Sequence, residues 1–378
     1  MRLLRQTTNA LLRSALPDLG EAQIETVGAA FGWARWIAAR VGMPLPQHVD
    51  EAVVRSIAEI VGRAILDTEY GSPLRLECPL IVTLAASDYC PFACANCYSH
   101  SGAGRAAASA AIKAETFEKV ARSKVPFVLI TGGEPLATAG IEDGLEVLLD
   151  AGKLVRVSTN ASVARFLDMA ERYRSTLAFV LPIWGTRQRQ NERRGARSFE
   201  RVEENLAALN ARGLPGRLLV VVADDDLSLF DEVHDLQQRF RISTIRVGRK
   251  LRVGRLDDVD TPLSSVFARG LIVQARRLQR RGVEVLLDLP ELRGSRGVPL
   301  IQKLLGIPNY ESCSAGSWMM HFDHDGAAYP CFTLEGARQF SVEAALSLGD
   351  QWSRVQEVRA ALGQGDVCIG EAHSNRKM

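Results

Sequence analysis

Residues 80–98 read LIVTLAASDYCPFACANCY. An apolar run (80–85) ends in a loop that carries Cys90, Cys94 and Cys97 in a C-x3-C-x2-C spacing. A short apolar run bounded by loop-formers predicts a buried strand. Six more runs of the same texture follow: FVLIT (127–131), LVRVST (154–159), LAFVLPIW (177–184), RLLVVVA (217–223), STIRVG (243–248) and VEVLLDL (283–289). Amphipathic stretches separate them, at 114–122, 141–151, 162–173, 198–212, 228–239 and 264–281. This alternation predicts an α/β fold with a parallel sheet buried on both faces. An open doubly wound sheet and most of a (β/α) barrel both satisfy it, and pattern alone does not choose between them.

In either architecture the cysteine loop opens at the C-terminal end of the first strand, where such sheets place their chemistry. Three thiolates on one loop can grip three irons of a cubane and leave the fourth open to a ligand. Zinc is the rival reading. It wants a fourth protein ligand, and His100 is near enough in sequence to be considered. A set of buried structural thiols is the third reading.

The flanks have a different texture. Residues 1–75 read as helical, with Val49, Val53, Val54, Ile57, Ile60, Val61, Ala64 and Ile65 at helical spacing. The bland role for this segment is packing or oligomerisation. The first twenty residues are basic but lack the unbroken apolar core of a secretory signal, which favours a surface helix over a transit peptide. Beyond residue 300 the alternation stops. CSAGSWMMHFDHDGAAYPCFTL (313–334) places the turn signal DHDG (323–326) between two strand-like runs, which predicts a β-hairpin with a cysteine at each flank.

The chain has 378 residues, 47% hydrophobic and 24% charged, which is the balance of a soluble globular protein. Its net charge of +2 gives no electrostatic reason to expect a nucleic-acid partner. No apolar run approaches the ~18 residues of a membrane-spanning helix. Seven cysteines, an odd number and tightly clustered, argue for metal binding in a reducing, cytoplasmic compartment over a disulfide framework.

Four features in order now give a resemblance: the cysteine loop followed by Tyr98, then Gly132-Gly133-Glu134-Pro135 after the second strand, Ser158-Thr159-Asn160 after the third, and R-G-x-x-S-F at Arg194–Phe199. The set resembles the radical S-adenosylmethionine (SAM) superfamily, in particular members with a SPASM or twitch extension. The resemblance implies a [4Fe–4S] cluster on Cys90, Cys94 and Cys97 and reductive cleavage of SAM. The 5′-deoxyadenosyl radical so formed takes a hydrogen atom from a substrate. It implies that the carbonyls of Gly132 and Gly133 meet the methionyl ammonium, with Glu134 and Pro135 fixing the turn. Ser158 and Asn160 suit the ribose hydroxyls or the carboxylate, although a helix N-cap would suit Ser-Thr-Asn as well. An external one-electron reductant of flavodoxin or ferredoxin type is implied too.

The spacing Cys313-x12-Gly326-x4-Cys331, with Gly254-Arg255 before it, resembles the opening of a SPASM or twitch domain. The later cysteine block of a full SPASM domain is missing. Cys313, Cys331 and Cys368 are therefore assigned to one auxiliary iron–sulfur cluster, with His373 or Cys78 as a fourth ligand if one exists. Cys78 otherwise reads as a small buried hydrophobe.

The expected organisation is a helical segment (1–75), a partial (β/α)6 TIM-like barrel (76–300) and a small twitch-like domain of hairpin plus helix (301–378). The expected substrate is a ribosomal peptide. A small sugar or aminocyclitol is the alternative, and a non-catalytic iron–sulfur or zinc protein is the rival from another class. Asp224 and Asp226, after the fifth strand, are candidates for a general base or substrate anchor, against a plain turn and helix cap. Trp184, Arg187, Arg246 and Arg249 are candidate pocket residues, against loop salt bridges. The Arg-rich stretch 186–197 reads equally as a solvated loop or part of the site. His321 and His324 flank the hairpin turn and are expected to be exposed.

Overall fold

The computed structural model describes residues 76–95, 97–104, 112–222, 226–249, 255, 264–288 and 315–362. The helical readings before residue 76, and those for Asp224, Cys313, Cys368 and His373, lie outside the described residues.

Each apolar run forms a strand. They are β1 (Ile81–Ala85), β2 (Phe127–Thr131), β3 (Leu154–Ser158), β4 (Leu177–Trp184), β5 (Gly216–Val222), β6 (Ile242–Arg249) and β7 (Glu284–Asp288). Helices follow the first six in turn: α1 (Ala114–Ala121), α2 (Ile141–Asp150), α3 (Leu167–Arg172), α4 (Arg187–Arg194) and α5 (Ser198–Ala211) together, α6 (Leu229–Arg239) and α7 (Ser265–Arg280). Neighbouring strands pair in parallel from β1 to β7. Six β/α units and a seventh strand form a partial TIM-like barrel.

Strand alternation explains its two faces. Val82, Leu84, Val128, Ile130, Val155, Val157, Leu181, Ile183, Val220, Val222, Ile245 and Val247 have no exposed surface and join one core with Phe117, Leu145, Phe199, Phe230 and Leu271 of the helices. The residues between them in sequence take the opposite face. These include Thr83, Arg156, Arg217, Thr244, Arg246 and Glu284, so the inner face of the arc carries polar side chains among apolar ones such as Leu129.

The hairpin forms as expected, from β8 (Met319–Phe322) and β9 (Ala328–Tyr329). Gly326, at a φ of 87°, lets the Asp323 carboxylate accept from the Ala327 N–H at 2.9 Å. Its placement adds something the pattern did not carry. β8 pairs in parallel with β1, so the hairpin continues the barrel sheet, and the order is β7-β6-β5-β4-β3-β2-β1-β8-β9. Lys119 of α1 donates to the carbonyls of Ala344 and Leu346, at 2.8 and 3.0 Å, which fastens the C-terminal segment to the barrel. Trp352 of α8 (Leu348–Ala361) is buried and donates to the Leu76 carbonyl at 2.7 Å. Cys78 lies in this core.

Two expectations are corrected here. His321 is wholly buried and His324 mostly so, with side-chain exposures of 0% and 18%. His321 lies within β8, on the face shared with Thr83 of β1, and is not in the turn. The Arg-rich stretch contains helix α4, although it has no apolar stripe. Gln190 substitutes for one: it is 1% exposed, accepts from the Trp184 N–H at 2.8 Å and donates to the Ser198 carbonyl at 3.2 Å.

Candidate active site

The cysteine loop leaves β1 and is pinned at once to the turn after β2. Gly133 N–H donates to the Ser87 carbonyl at 2.6 Å, and Glu134 N–H to the Tyr89 carbonyl at 2.8 Å. This approach accounts for both glycines. A side chain at Gly133 would overlap the Tyr89 carbonyl, and Gly132 has a φ of 100° with the Ser87 carbonyl 2.9 Å from where a Cβ would sit. The chain's own backbone therefore already requires glycine here. Tyr98 adds a third tie. Its hydroxyl bonds Thr131 and accepts from the Gly132 N–H at 3.2 Å, and its ring meets Phe332 edge-on at 5.3 Å. Burial pushes the Tyr98 phenol up to about 12, so it stays neutral.

Glu134 has no exposed surface. One carboxylate oxygen accepts from Leu136 N–H at 3.1 Å and Thr159 Oγ1 at 2.5 Å. The other accepts from the N–H groups of Asn160 at 2.7 Å and Ala161 at 3.1 Å. One side chain thus caps the short 3-10 turn Pro135–Ala137 and holds the loop after β3. Burial raises its pKa, outweighing the four donors that lower it. The helix-cap reading of Ser-Thr-Asn is not what forms: Thr159 and Asn160 meet Glu134, and helix α3 begins only at Leu167. Ser158 ends β3 half-buried.

Of the three thiols Cys90 is buried and Cys94 and Cys97 are partly exposed. Burial pushes the Cys90 thiol up to about 12. Metal binding there must displace a proton. Cys97 Sγ lies 3.4 Å from Ser99 Oγ. Among the described residues the three thiols are not gathered within 4.8 Å of one another, and neither is His100 with any two of them. A single tetrahedral zinc holds thiolates about 4 Å apart. His100 is exposed. The donor set is therefore three sulfurs on an open loop, which fits three corners of a cubane better than one ion.

Three further residues reach the site through contacts that no sequence pattern shows. Arg255 donates from Nη1 to the Cys94 carbonyl at 2.9 Å and from Nη2 to those of His100 at 3.1 Å and Ser101 at 2.5 Å. Its own N–H donates to the Cys97 carbonyl at 2.9 Å. Arg194, at the end of α4, donates to Asn160 Oδ1 at 2.6 Å, and its carbonyl faces Cys94 Sγ at 3.9 Å. Asn205 of α5 is buried, accepts from Val163 N–H at 3.0 Å and donates to the Ala161 carbonyl at 2.8 Å. Arg255 and Arg194 stood in quoted motifs, but only the fold brings them to the loop.

The remaining candidates sit elsewhere. Asp226 accepts from Ser228 N–H at 2.9 Å and pairs with Arg189 at 3.5 Å, and these contacts lower its pKa. Arg187 is taken up by Glu200 and Glu203, at 2.7 and 2.9 Å, and stacks over Phe199. Trp184 is buried at the end of β4 under the Arg193 guanidinium. Arg246 takes the inner face, while the Arg249 side chain lies outside the described residues. Cys331 is buried beside Ala315 and Leu334.

A family model described as the Radical SAM superfamily matches residues 85–236, from the end of β1 into α6. No curated protein sequence matches the chain. Among solved structures the chain is similar to Streptococcus suis SuiB bound to S-adenosylmethionine. The TM-score is 0.65 at 17% identity, covering 98% of this chain and 89% of that one. It is similar to the same protein bound to its precursor peptide SuiA, with a TM-score of 0.60 at 17% identity over 86% and 78% of the two chains. It also resembles anSMEcpe with bound AdoMet, with a TM-score of 0.55 at 14% identity over 75% and 82%. At these identities the likeness is one of fold. No described helix is long and apolar enough to cross a membrane. The matched family model, the partial barrel and the cysteine loop at its rim agree: residues 85–236 carry a radical SAM domain, and the chain is an enzyme.

Proposed function

We propose that the chain is a peptide maturase whose [4Fe–4S] cluster is held by Cys90, Cys94 and Cys97. Bound there, the cluster would supply the electron for reductive cleavage of SAM to methionine and a 5′-deoxyadenosyl radical, which would take a hydrogen atom from the substrate. The chain's residues do the positioning. Arg255 caps four backbone carbonyls of the cysteine loop. Gly132 and Gly133 offer carbonyls to an ammonium group. Glu134 holds the loop bearing Ser158 and Asn160 at a fixed distance from that turn, so both ends of one amino-acid-bearing ligand are set by a single buried carboxylate. Arg194 orients the Asn160 amide.

The observation that carries this reading is the direct clamp between the cysteine loop and the Gly-Gly-Glu turn. Incubated anaerobically with SAM and a low-potential reductant, the wild-type chain is expected to form 5′-deoxyadenosine. Equal formation by Cys94→Ala would overturn the assignment of the loop.

A peptide substrate is supported by the likeness to SuiB, which extends over nearly the whole of this chain and includes the form with a bound precursor peptide. Cys331, with Cys313 and Cys368, is assigned to one auxiliary cluster. Iron and sulfide near eight per chain support that assignment, and values near four refute it. A candidate precursor peptide encoded beside this gene is expected to lose hydrogen in the presence of SAM, read by mass spectrometry. Turnover of a sugar with no change in the peptide would move the substrate to the small-molecule branch.

A further inference from the structure

The hairpin brings a second group of metal-ligand atoms to the exit of β1, and none of them is sulfur. Asp88, His324 and Glu335 each present one ligand atom, and these lie within 4.8 Å of one another. They come from three separate segments: the loop two residues before Cys90, the hairpin turn, and the chain just after Cys331. All three are partly buried.

Two observations set this group apart from an ordinary surface ion pair. First, His324 Nδ1 is sealed from solvent and has no hydrogen-bond partner. It faces Asp88 Oδ1 at 3.8 Å, while Nε2 faces Asp325 Oδ2 at 3.7 Å. A histidine–carboxylate hydrogen bond closes to about 2.8 Å. Two ligands of one ion, each about 2.1 Å from it, stand roughly 3 to 4 Å apart. A buried lone pair with an ion beside it has a partner, and one without an ion does not.

Second, Glu335 is held from behind. His321, wholly buried, meets Glu335 Oε2 through Nε2 at 3.0 Å, and the Thr83 hydroxyl lies 2.7 Å from His321 Nδ1. The buried His321 ring thus bridges the Thr83 hydroxyl and Glu335 and orients one carboxylate oxygen. Carboxylates that bind metals are held by outer partners of this kind.

We propose that Asp88, His324 and Glu335 bind one divalent first-row transition ion, completed by water, which fastens the hairpin to the start of the cysteine loop. One imidazole and two carboxylates suit Zn2+, Fe2+ or Mn2+. The site shares no ligand with the cysteine loop's own metal, and the inference does not rest on the reading of the substrate.

Cobalt titration tests it. The full chain, stripped of metal and kept anaerobic, is titrated with Co2+. Cobalt on thiolates shows intense sulfur-to-metal charge transfer in the near ultraviolet, whereas cobalt on nitrogen and oxygen shows only weak visible bands. One equivalent without charge transfer is expected. It should be lost in His324→Ala and weakened tenfold or more in Asp88→Asn. Asp88→Asn keeps the shape of the side chain, so it decides the question if His324→Ala fails the circular-dichroism check for folding. The proposal fails if every bound cobalt carries charge transfer, or if both folded variants keep the sulfur-free equivalent. Neither result depends on whether the protein makes 5′-deoxyadenosine, so this inference and the proposed function fail separately.

Discussion

The rim of the barrel at β1–β3 and the rim at β4–β6 are both crowded with polar side chains, and they use them in opposite ways. At β1–β3 the groups are buried or partly buried and directed at backbone. Glu134 accepts from three N–H groups and one hydroxyl, and Tyr98, Asn205 and Arg255 each meet main-chain atoms. At β4–β6 the groups are partly exposed and pair with one another: Arg187 with Glu200 and Glu203, and Arg189 with Asp226. Backbone contacts fix a loop's path, and side-chain ion pairs mostly do not. A buried partner left unsatisfied costs far more than a screened surface pair. The first rim therefore fixes the paths of its loops, and the second decorates a helix surface.

The largest expected effect tests whether the first rim is a metal site at all. Cys90→Ala should abolish 5′-deoxyadenosine formation and take up less iron than the parent. Because burial pushes the Cys90 thiol up to about 12, the apo-protein holds that proton at neutral pH and must release it on loading. Iron uptake should therefore strengthen as pH rises from neutral to mildly alkaline, and alkylation of the apo-protein should label Cys94 and Cys97 before Cys90. Uptake that ignores pH would break the comparison at its root.

Next in size is Glu134. Glu134→Ala strands at least two buried N–H donors and should destabilise the chain by about 3 kcal/mol, read by urea unfolding. Glu134→Gln separates shape from charge. Burial raises the folded carboxyl above its usual range, so the folded state binds this proton more tightly than the unfolded chain. That contribution is present below the usual carboxylate pKa and is lost as pH rises through the raised one. The Gln variant should lack this loss, and a stability profile that matches wild type across the same window would refute the burial argument.

Arg255→Gln should cost about ten- to a hundredfold in the rate of 5′-deoxyadenosine formation. Arg255→Lys should restore little, since one ammonium does not replace a fork reaching three carbonyls. The reduction potential of the loaded cluster provides a readout that simple unfolding would not move.

How much of this was legible in the sequence follows the same division. The seven barrel strands lie where the apolar runs predicted them, because a strand buried on both faces writes its burial into consecutive residues. The DHDG turn was equally plain. Helix α4 was not, since its one buried residue, Gln190, is polar and acts through carbonyls of β4 and α5 that the pattern does not mark. The cysteines and Gly-Gly-Glu-Pro announce themselves by local spacing, and Glu134's role as an anchor was readable from its turn. Its grip on Asn160 and Ala161, the reach of Arg255 back to Cys94 and the burial of His321 against Glu335 were not. Each joins segments far apart in the chain, and no local signal marks the partner.

The smallest effect sharpens the contrast from the other side. Arg187 makes two-pronged contact with Glu203 and a third bond to Glu200, geometry that on paper looks as strong as anything at the first rim. These contacts raise the Arg187 pKa and lower those of both glutamates, so all three are charged at neutral pH. Yet the Arg187 side chain is 35% exposed, and water competes for it. Arg187→Gln should therefore lower stability by only about 1 kcal/mol, with the loss shrinking as salt is added. 5′-Deoxyadenosine formation should stay within about twofold of wild type, a change of less than about 0.5 kcal/mol in barrier. A loss of turnover with stability intact would mean that the second rim also positions the reacting groups, and the division drawn between the two rims would have to be abandoned.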